Sequence, residues 1–433
     1  MKKPYQEYKA SEIGWLGDIP SHWQKNKFKY LLREKTKTQN IELPCGSISF
    51  GKVVYKDSEK LTEETKLAYQ EVLSGEFLIN PLNLNYDLKS LRTALSQIDV
   101  IVSSGYIVLQ SENIAVKTYL KWLLFVFDIR HMKTLGAGIR QTITFNDIGN
   151  CITFLPPEYE QILIGEFLNR ETARIDKLIA EKQTFIKLLK EKRQALISHV
   201  VTKGLNPNVE MKNSGIEWIG DVPEHWDVKK IKYLSSNFMY GTSVDCNLTD
   251  DGYPVLRIPN IDGVTVNFND LKYTSLDKNE ASRYLVAEGD VLVIRTNGNP
   301  AIVGQSALFS SQEEFLFASY LIKLTPDRKI NSNFFIQAMN SLSIRQALTF
   351  QSRTSVGNYN LNIPSLSNTY MAIPSIEEQI QIAKYLDVVK NKYDSIISET
   401  TQSLNYLAEH RTALISAAVT GKVDVRHFKE EAA

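Results

Sequence analysis

The sequence lacks nearly every feature that marks an enzyme, a secreted protein or a membrane protein. It has three cysteines in 433 residues, Cys45, Cys151 and Cys246. An odd number without motif spacing is no disulfide framework, so they read as reduced small residues of a cytoplasmic protein. The six histidines (His22, His131, His199, His225, His410 and His427) never fall in an HExxH pattern or beside paired cysteines, so no metal site is expected. The longest apolar run, Trp122–Phe127, is far short of the ~20 residues that cross a bilayer. The polar opening MKKPYQEYKA has no secretory core, and no membrane association is expected. Also missing are a P-loop and a GxGxxG following a strand. Nor is there a surplus of one charge: 50 Lys and Arg stand against 49 Asp and Glu, a net of +1. A chain that grips nucleic acid alone usually carries a basic excess. This one would have to sort its charge onto one face or share the task with a basic partner. What remains is ordinary globular composition, 43% hydrophobic and 23% charged, in a chain long enough for two or three domains.

What the sequence does have is a duplication. Residues 8–32 and 211–235 are identical at 13 of 25 positions without a gap, where about one or two would be expected by chance. Trp15, Pro20, His22 and Trp23 match Trp218, Pro223, His225 and Trp226, each 203 residues on. A second repeat pairs 155–203 with 373–421 at an offset of 218, so the stretch between the repeats is 15 residues longer in the second half. The plan reads as a Trp-rich entry motif, a variable domain and a long helix, then the same again. The boundaries fall at 1–154, 155–205, 206–372 and 373–433.

The variable stretches, 33–154 and 236–372, read as mixed α/β. Val100–Val102, Tyr106–Leu109 and Val291–Ile294 are β-rich runs bounded by turn residues. Residues 117–135 and 332–350 read as amphipathic helices. Gly75-Glu76-Phe77-Leu78-Ile79 corresponds to Gly289-Asp290-Val291-Leu292-Val293. A kept framework with diverged loops fits two readers of different targets.

Pro156-Pro157 opens the first long helix and Gly204 closes it. At ~1.5 Å per residue, 158–202 makes a rod of roughly 65 Å. One face carries Ile175, Ile179, Lys182, Ile186, Leu189, Arg193, Leu196 and Val200. The matching face of the second helix carries Tyr393, Ile397, Thr400, Leu404, Leu407, Arg411, Leu414 and Ala418. Steps of four and three define a heptad seam, so the two helices are expected to bury each other's stripe as an intramolecular coiled coil. The seam does not give their direction. Parallel packing would set Arg193 against Arg411, and the simplest antiparallel register would set Lys182 against Arg411. Either way like charges meet, and the side chains are expected to snorkel to the edge. A stiff rod between two readers would fix the number of base pairs between two half-sites.

No catalytic constellation is visible. Asn80-Pro81 and Asn299-Pro300 resemble part of the Asn-Pro-Pro-aromatic motif of amino-group DNA methylases. Both lack the second proline and the aromatic that stacks on a flipped base, and they read as turns.

These residues together carry a resemblance. The entry motif, Ile216 to Trp226 with its copy at Trp15–Trp23, resembles the opening of the half-repeat in type I restriction–modification specificity subunits. So do the helix starts (Pro156, Pro157, Glu160, Gln161; Pro374, Glu378, Gln379) and the helix ends beginning at Arg193 and Arg411. The resemblance spans nearly the whole chain, twice over. It implies that each variable domain is a target recognition domain reading one half of a split double-stranded DNA site. It implies an antiparallel helix pair and a pseudo-twofold axis. It implies two methyltransferase subunits as partners, with restriction subunits in the full complex. The chain itself would hold no cofactor; S-adenosylmethionine, ATP and Mg belong to the partners. Shared DNA binding would also account for the neutral charge.

The base-reading residues do not carry over from the resemblance, because family members differ there. Chemistry alone nominates Lys52, Tyr55, Lys56, Arg92, Arg140 and Gln141 in the first domain. In the second it nominates Arg257, Asn260, Arg295, Asn297, Asn299, Arg353, Asn358 and Tyr359. Three other readings compete. A methyltransferase or nuclease in its own right would need a cofactor motif. A scaffold joining two protein partners through the helices would be indifferent to exchange of 33–154. The third is the specificity subunit of a related DNA-modification system.

Overall fold

The computed structural model describes residues 4–58, 61–82, 91–111, 116–136, 142–249, 251–355 and 357–428, without the side chains of 353–355. The chain divides into two compact units, Met1–Gln183 with Gln402–Ala433, and Thr184–Thr401. The boundaries read from the sequence set each long helix apart as a segment of its own. The contacts instead split both helices, because half of each helix packs on the variable domain of one unit.

In the first unit a four-stranded antiparallel sheet runs in the order Leu32–Glu34, Ile107–Ser111, Phe77–Ile79, Thr93–Leu95. Successive side chains of a strand point to opposite faces. Phe77 and Ile79 enter the main core with helix Lys117–Arg130 and the start of helix Glu158–Lys203. Leu78 faces the other way, onto Val72, Val100 and Val102. Burial on both faces is why these strands are apolar runs rather than alternating ones. The reading of 117–135 as one helix needs correction: the helix stops at Arg130 and a 3-10 turn, Met132–Thr134, follows.

The second unit repeats the device. Val291 and Val293 join one core and Leu292 and Ile294 another. Its central sheet has six strands, Ser235–Tyr240, Leu321–Pro326, Val291–Ile294, Ser306–Leu308, Thr265–Val266 and Ile261–Asp262. The hairpin Ile261–Val266 on its edge has no counterpart among the described residues of the first unit's four-stranded sheet, and it lies in the half with the longer variable stretch. The expected single helix 332–350 is two, Ser332–Met339 and Leu342–Gln351. The break is at Asn340, whose amide donates back to the Ile336 carbonyl and across to the Ser306 carbonyl at 2.8 Å. Ser341 then stands in extended conformation at the N-cap position of the next helix.

The long helices span Glu158–Lys203 and Ile376–Val419. Their starts are held alike: Gln161 Nε2 donates to the Pro156 carbonyl and Gln379 Nε2 to the Pro374 carbonyl, both at 3.0 Å. Each ends on a left-handed glycine, Gly204 (φ 78°) and Gly421 (φ 69°). In the first unit, Glu160 meets Arg426 and, further along the helix, Asp176 meets Arg411. Residue numbers rise on one segment as they fall on the other, so the segments run antiparallel. The second unit does the same: Arg193 pairs with Asp394, and the last turn at Gly204 lies beside Glu378.

This overturns the expected clash of like charges. Arg411 does not face Lys182; its Nε donates to Asp176 Oδ1 at 2.7 Å, six residues nearer the helix start. Asp176 and Asp394 are repeat-equivalent, as are Arg193 and Arg411. Each unit therefore closes with the same Arg–Asp pair instead of a snorkelled cation.

Candidate nucleic-acid interface

Each variable domain sits in a polar lock made by the repeated motifs. In the first unit the Glu160 carboxylate is fully buried. It accepts from the Trp23 indole at 3.0 Å, lies 2.8 Å from His22 Nε2 and is 3.5 Å from the Arg426 guanidinium. In the second, Glu378 accepts from the Trp226 indole at 3.1 Å and meets His225 Nε2 at 2.9 Å. Gln161 and Gln379 complete the frame. Their side-chain oxygens accept from the backbone N–H of Val116 and Asn331, the N-cap residues of the domain helices. Both tryptophans are buried. The histidines and glutamates of the repeat thus hold the domain on the helix.

A second shared device positions the sheets. Glu76 and Asp290 follow left-handed glycines, Gly75 (φ 86°) and Gly289 (φ 90°), and turn back to accept from the backbone N–H of Leu73 and Ala287. Only glycine adopts that turn without strain. Lys35 answers Glu76 at 3.0 Å and Lys323 answers Asp290 at 3.6 Å.

Between these fixed points lie the loops. In the first unit, Gly46–Ser49 and Lys52–Tyr55 form a hairpin closed by Phe50-Gly51. Lys52, Tyr55 and Lys56 are exposed on it or just past its end. Arg92 follows Leu91, which packs where a side chain on Gly51 would lie, and its backbone N–H donates to Asp128 at 2.5 Å. Asp128 is fully buried, and burial pushes its carboxyl up to about 6. Arg140 and Gln141 lie outside the described residues.

In the second unit a three-stranded sheet, Thr296–Asn297, Asn358–Asn360 and Arg353–Ser355, gathers four of the nominated residues: Asn297, Arg353, Asn358 and Tyr359. Asn358 is exposed, while Tyr359 packs against the core edge. Arg295 anchors this sheet. Its guanidinium donates to Asn360 Oδ1 at 3.1 Å and lies 4.2 Å from the Tyr240 ring centroid, which makes it a positioning residue for its neighbours. Asn299 is exposed, and its side chain accepts from Ala301 N at 3.0 Å. Both Asn-Pro pairs are turns of this kind, with Asn80 Oδ1 accepting from Leu82 N.

Two nominations need correction. Asn260 is 1% exposed, and its amide is spent on Arg257 N and the carbonyls of Asn267 and Asn269. Arg257 is turned onto Asp270, donating to its carbonyl at 2.6 Å. Both brace a loop, and the sequence could not separate a polar loop residue that reads from one that holds. It also passed over Phe50, Lys121, Arg345 and Phe350. Arg345 is depressed to about 10 by burial and clamps the 300–302 loop through the Ala301 carbonyl. The signal for Phe50 was the Phe-Gly pair between two β-prone runs.

Among the described residues no helix is long and apolar enough to cross a membrane, and no group of His, Cys, Asp or Glu could hold a metal ion. Residues 221–406, which carry the second unit's frame and loop sheet, match the type I restriction modification DNA specificity domain. The specificity subunit of the type I restriction enzyme EcoKI of Escherichia coli strain K12 is 23% identical over 273 residues, which cover 62% of this chain and 57% of that protein. The match thus spans little more than half the length of that relative. A chain from a structure described as "Structural basis underlying complex assembly and conformational transition of the type I R-M system" superposes with a TM-score of 0.67 at 15% identity, covering 94% of this chain and 99% of that one. The HsdS subunit from Thermoanaerobacter tengcongensis gives 0.50 at 16% identity, covering 94% and 98%. At such identities the superpositions speak for the fold, two mixed α/β units with a helical linker. The chain is thus similar in sequence, over part of its length, to type I restriction specificity subunits.

Proposed function

We propose that this chain is the DNA specificity subunit of a type I restriction–modification complex. Each unit reads one half of a bipartite double-stranded site. The observation that carries the reading is the specificity-domain match over 221–406, together with the same Glu–His–Trp lock in the unmatched first unit. A constant lock around divergent loops lets each loop set answer to a different sequence. The long helices act as an antiparallel coiled coil that sets the spacer and docks two methyltransferase subunits. The antiparallel contacts inside each unit and the half-buried seam positions Ile179, Ile186, Leu189, Ile397 and Leu404 support this part. Restriction subunits join the full complex. S-adenosylmethionine, ATP and Mg chemistry belongs to the partners, and this chain is non-catalytic and cytoplasmic.

The test is methylation mapping in cells with and without the chain, and with residues 33–154 exchanged for those of a relative. Exchange is expected to change one half of a split site and leave the other. Insertion of four residues into both long helices is expected to lengthen the spacer. Methylation indifferent to the exchange would sink the proposal.

A further inference from the structure

Two side chains do what apolar groups avoid. Phe50 is 93% exposed and Phe350 is 92% exposed, while the next large hydrophobic among the described residues, Leu248, is 75% exposed. Phe50 is also strained. It has φ 48° and Gly51 has φ 72°, so both central residues of the hairpin turn are left-handed. Asn or Asp followed by Gly is the usual choice for such a turn, and a bulky residue at its first position works against the fold. A choice that stabilises neither the turn nor the core marks a site kept for another purpose.

The company of each ring is alike. Phe50 stands on the rim of a small cleft with Lys52, Lys121 and Arg411. Phe350 stands on the rim of a 920 Å³ cleft with Arg193, Arg345 and Lys390. Arg411 and Arg193, each paired with its aspartate, are equivalent in the repeat. The phenylalanines are not equivalent: one tops a hairpin, and the other is in the last turn of Leu342–Gln351. Duplication therefore does not explain the coincidence; one unit places its ring on a hairpin turn and the other on a helix end. An isolated exposed ring beside several cations suits a stacked polyanion, whose bases accept an aromatic face and whose phosphates answer the cations. A protein helix would ask instead for an apolar stripe.

We infer that Phe50 and Phe350 are the wedges of the two units, each inserting at one base step of its own half-site and unstacking it. The inference rests on the specificity-subunit reading and adds how the duplex is deformed.

The experiment uses the chain assembled with its methyltransferase subunits. The duplexes carry the bipartite site mapped in cells, with 2-aminopurine placed at successive positions of each half. Wild-type binding is expected to raise 2-aminopurine emission at one step in each half. Phe50→Asn removes the rise in one half alone and Phe350→Asn in the other alone, each weakening binding about 10- to 100-fold. Phe50→Trp keeps the signal. Phe50→Asn also raises the unfolding temperature of the free chain, because asparagine suits the left-handed turn; a structural role for the ring would lower it. Emission and affinity unchanged in both asparagine variants overturn the wedge, as does loss of assembly with the methyltransferase subunits, which would make the rings a protein contact. Those results leave the specificity reading standing if the wild type still prefers its site to a scrambled duplex. No such preference in the wild type removes both.

Discussion

Replacing Glu160 by alanine should cost the first unit far more than the same change at its repeat-equivalent, Glu378, costs the second. The Glu160 side chain is fully shielded and serves His22, Trp23 and Arg426. Its loss leaves the indole N–H of Trp23, itself 1% exposed, without an acceptor. An orphaned buried donor costs about 1–3 kcal/mol. Arg426, 29% exposed, keeps Asp424 at 2.7 Å, so losing the 3.5 Å contact with Glu160 adds about 1–2 kcal/mol. A total of about 2–5 kcal/mol is expected. Among the described residues the Glu378 carboxylate serves His225 and Trp226, and its side chain is 24% exposed. Water can reach the vacated site, and about 1–2 kcal/mol is expected. Hydrogen exchange read by mass spectrometry on the full chain separates the two. Glu160→Ala should deprotect 158–168 together with 421–428. Glu378→Ala should deprotect 376–386 less, the difference of about 2 kcal/mol being roughly 30-fold in protection. Equal deprotection in the two variants, or a loss under about 1 kcal/mol at Glu160, would refute the argument from burial.

Other outcomes follow from local geometry. Gly421→Ala is expected to destabilise the chain by about 2–4 kcal/mol in urea titration, since the residue is left-handed and a Cβ would stand 2.3 Å from Pro20 Cδ. Gly204→Ala should cost less, because its nearest clash is 3.2 Å from the Glu378 carboxylate. Asp128 holds its proton up to about 6 when folded but only to the ordinary 3.8 when unfolded. The folded state binds the extra proton in that window, so stability falls as pH rises through it and stays reduced above. Asp128→Asn should flatten this dependence and gain at most about 3 kcal/mol at neutral pH; an unaltered slope would count against burial as the cause. A double-mutant cycle on Arg411 and Asp176 should give a coupling of about 0.5–1 kcal/mol, as the aspartate is 44% exposed. The exchanged pair, Arg411→Asp with Asp176→Arg, should recover part of the loss.

The duplicated frame was legible in the sequence because its causes are local or periodic. The seam positions, the proline starts and the glycine stops are written in spacing, and the histidines and tryptophans of the entry motif announced themselves by recurring. The partner of the buried tryptophan could not be read, because Glu160 is 137 residues from Trp23. The helix register escaped for the same reason: the pattern locates a stripe but not the neighbouring Asp176 that answers Arg411. The site was the least legible. Arg295, Asn260 and Asn358 look alike as polar loop residues, yet one clamps a strand, one is entombed and one faces solvent. The strand pairing of 296–297 with 358–360, which gathers the second unit's candidates, is a long-range contact that no local rule supplies.

The first unit is assembled from two segments far apart in sequence, Met1–Gln183 and Gln402–Ala433. Tyr8 donates to the Gly421 carbonyl at 3.0 Å, and Arg426 lies over the Tyr5 ring. The second helix ends against the first entry motif, with Gly421 beside Pro20 and Trp23, as the first helix ends against the second, with Gly204 beside Pro223 and Trp226. A permuted chain that began just beyond Gly204 and ran through a short tether from 428 to 4 would keep every one of these contacts. The order of the segments along the chain is therefore separable from the contacts that build the unit.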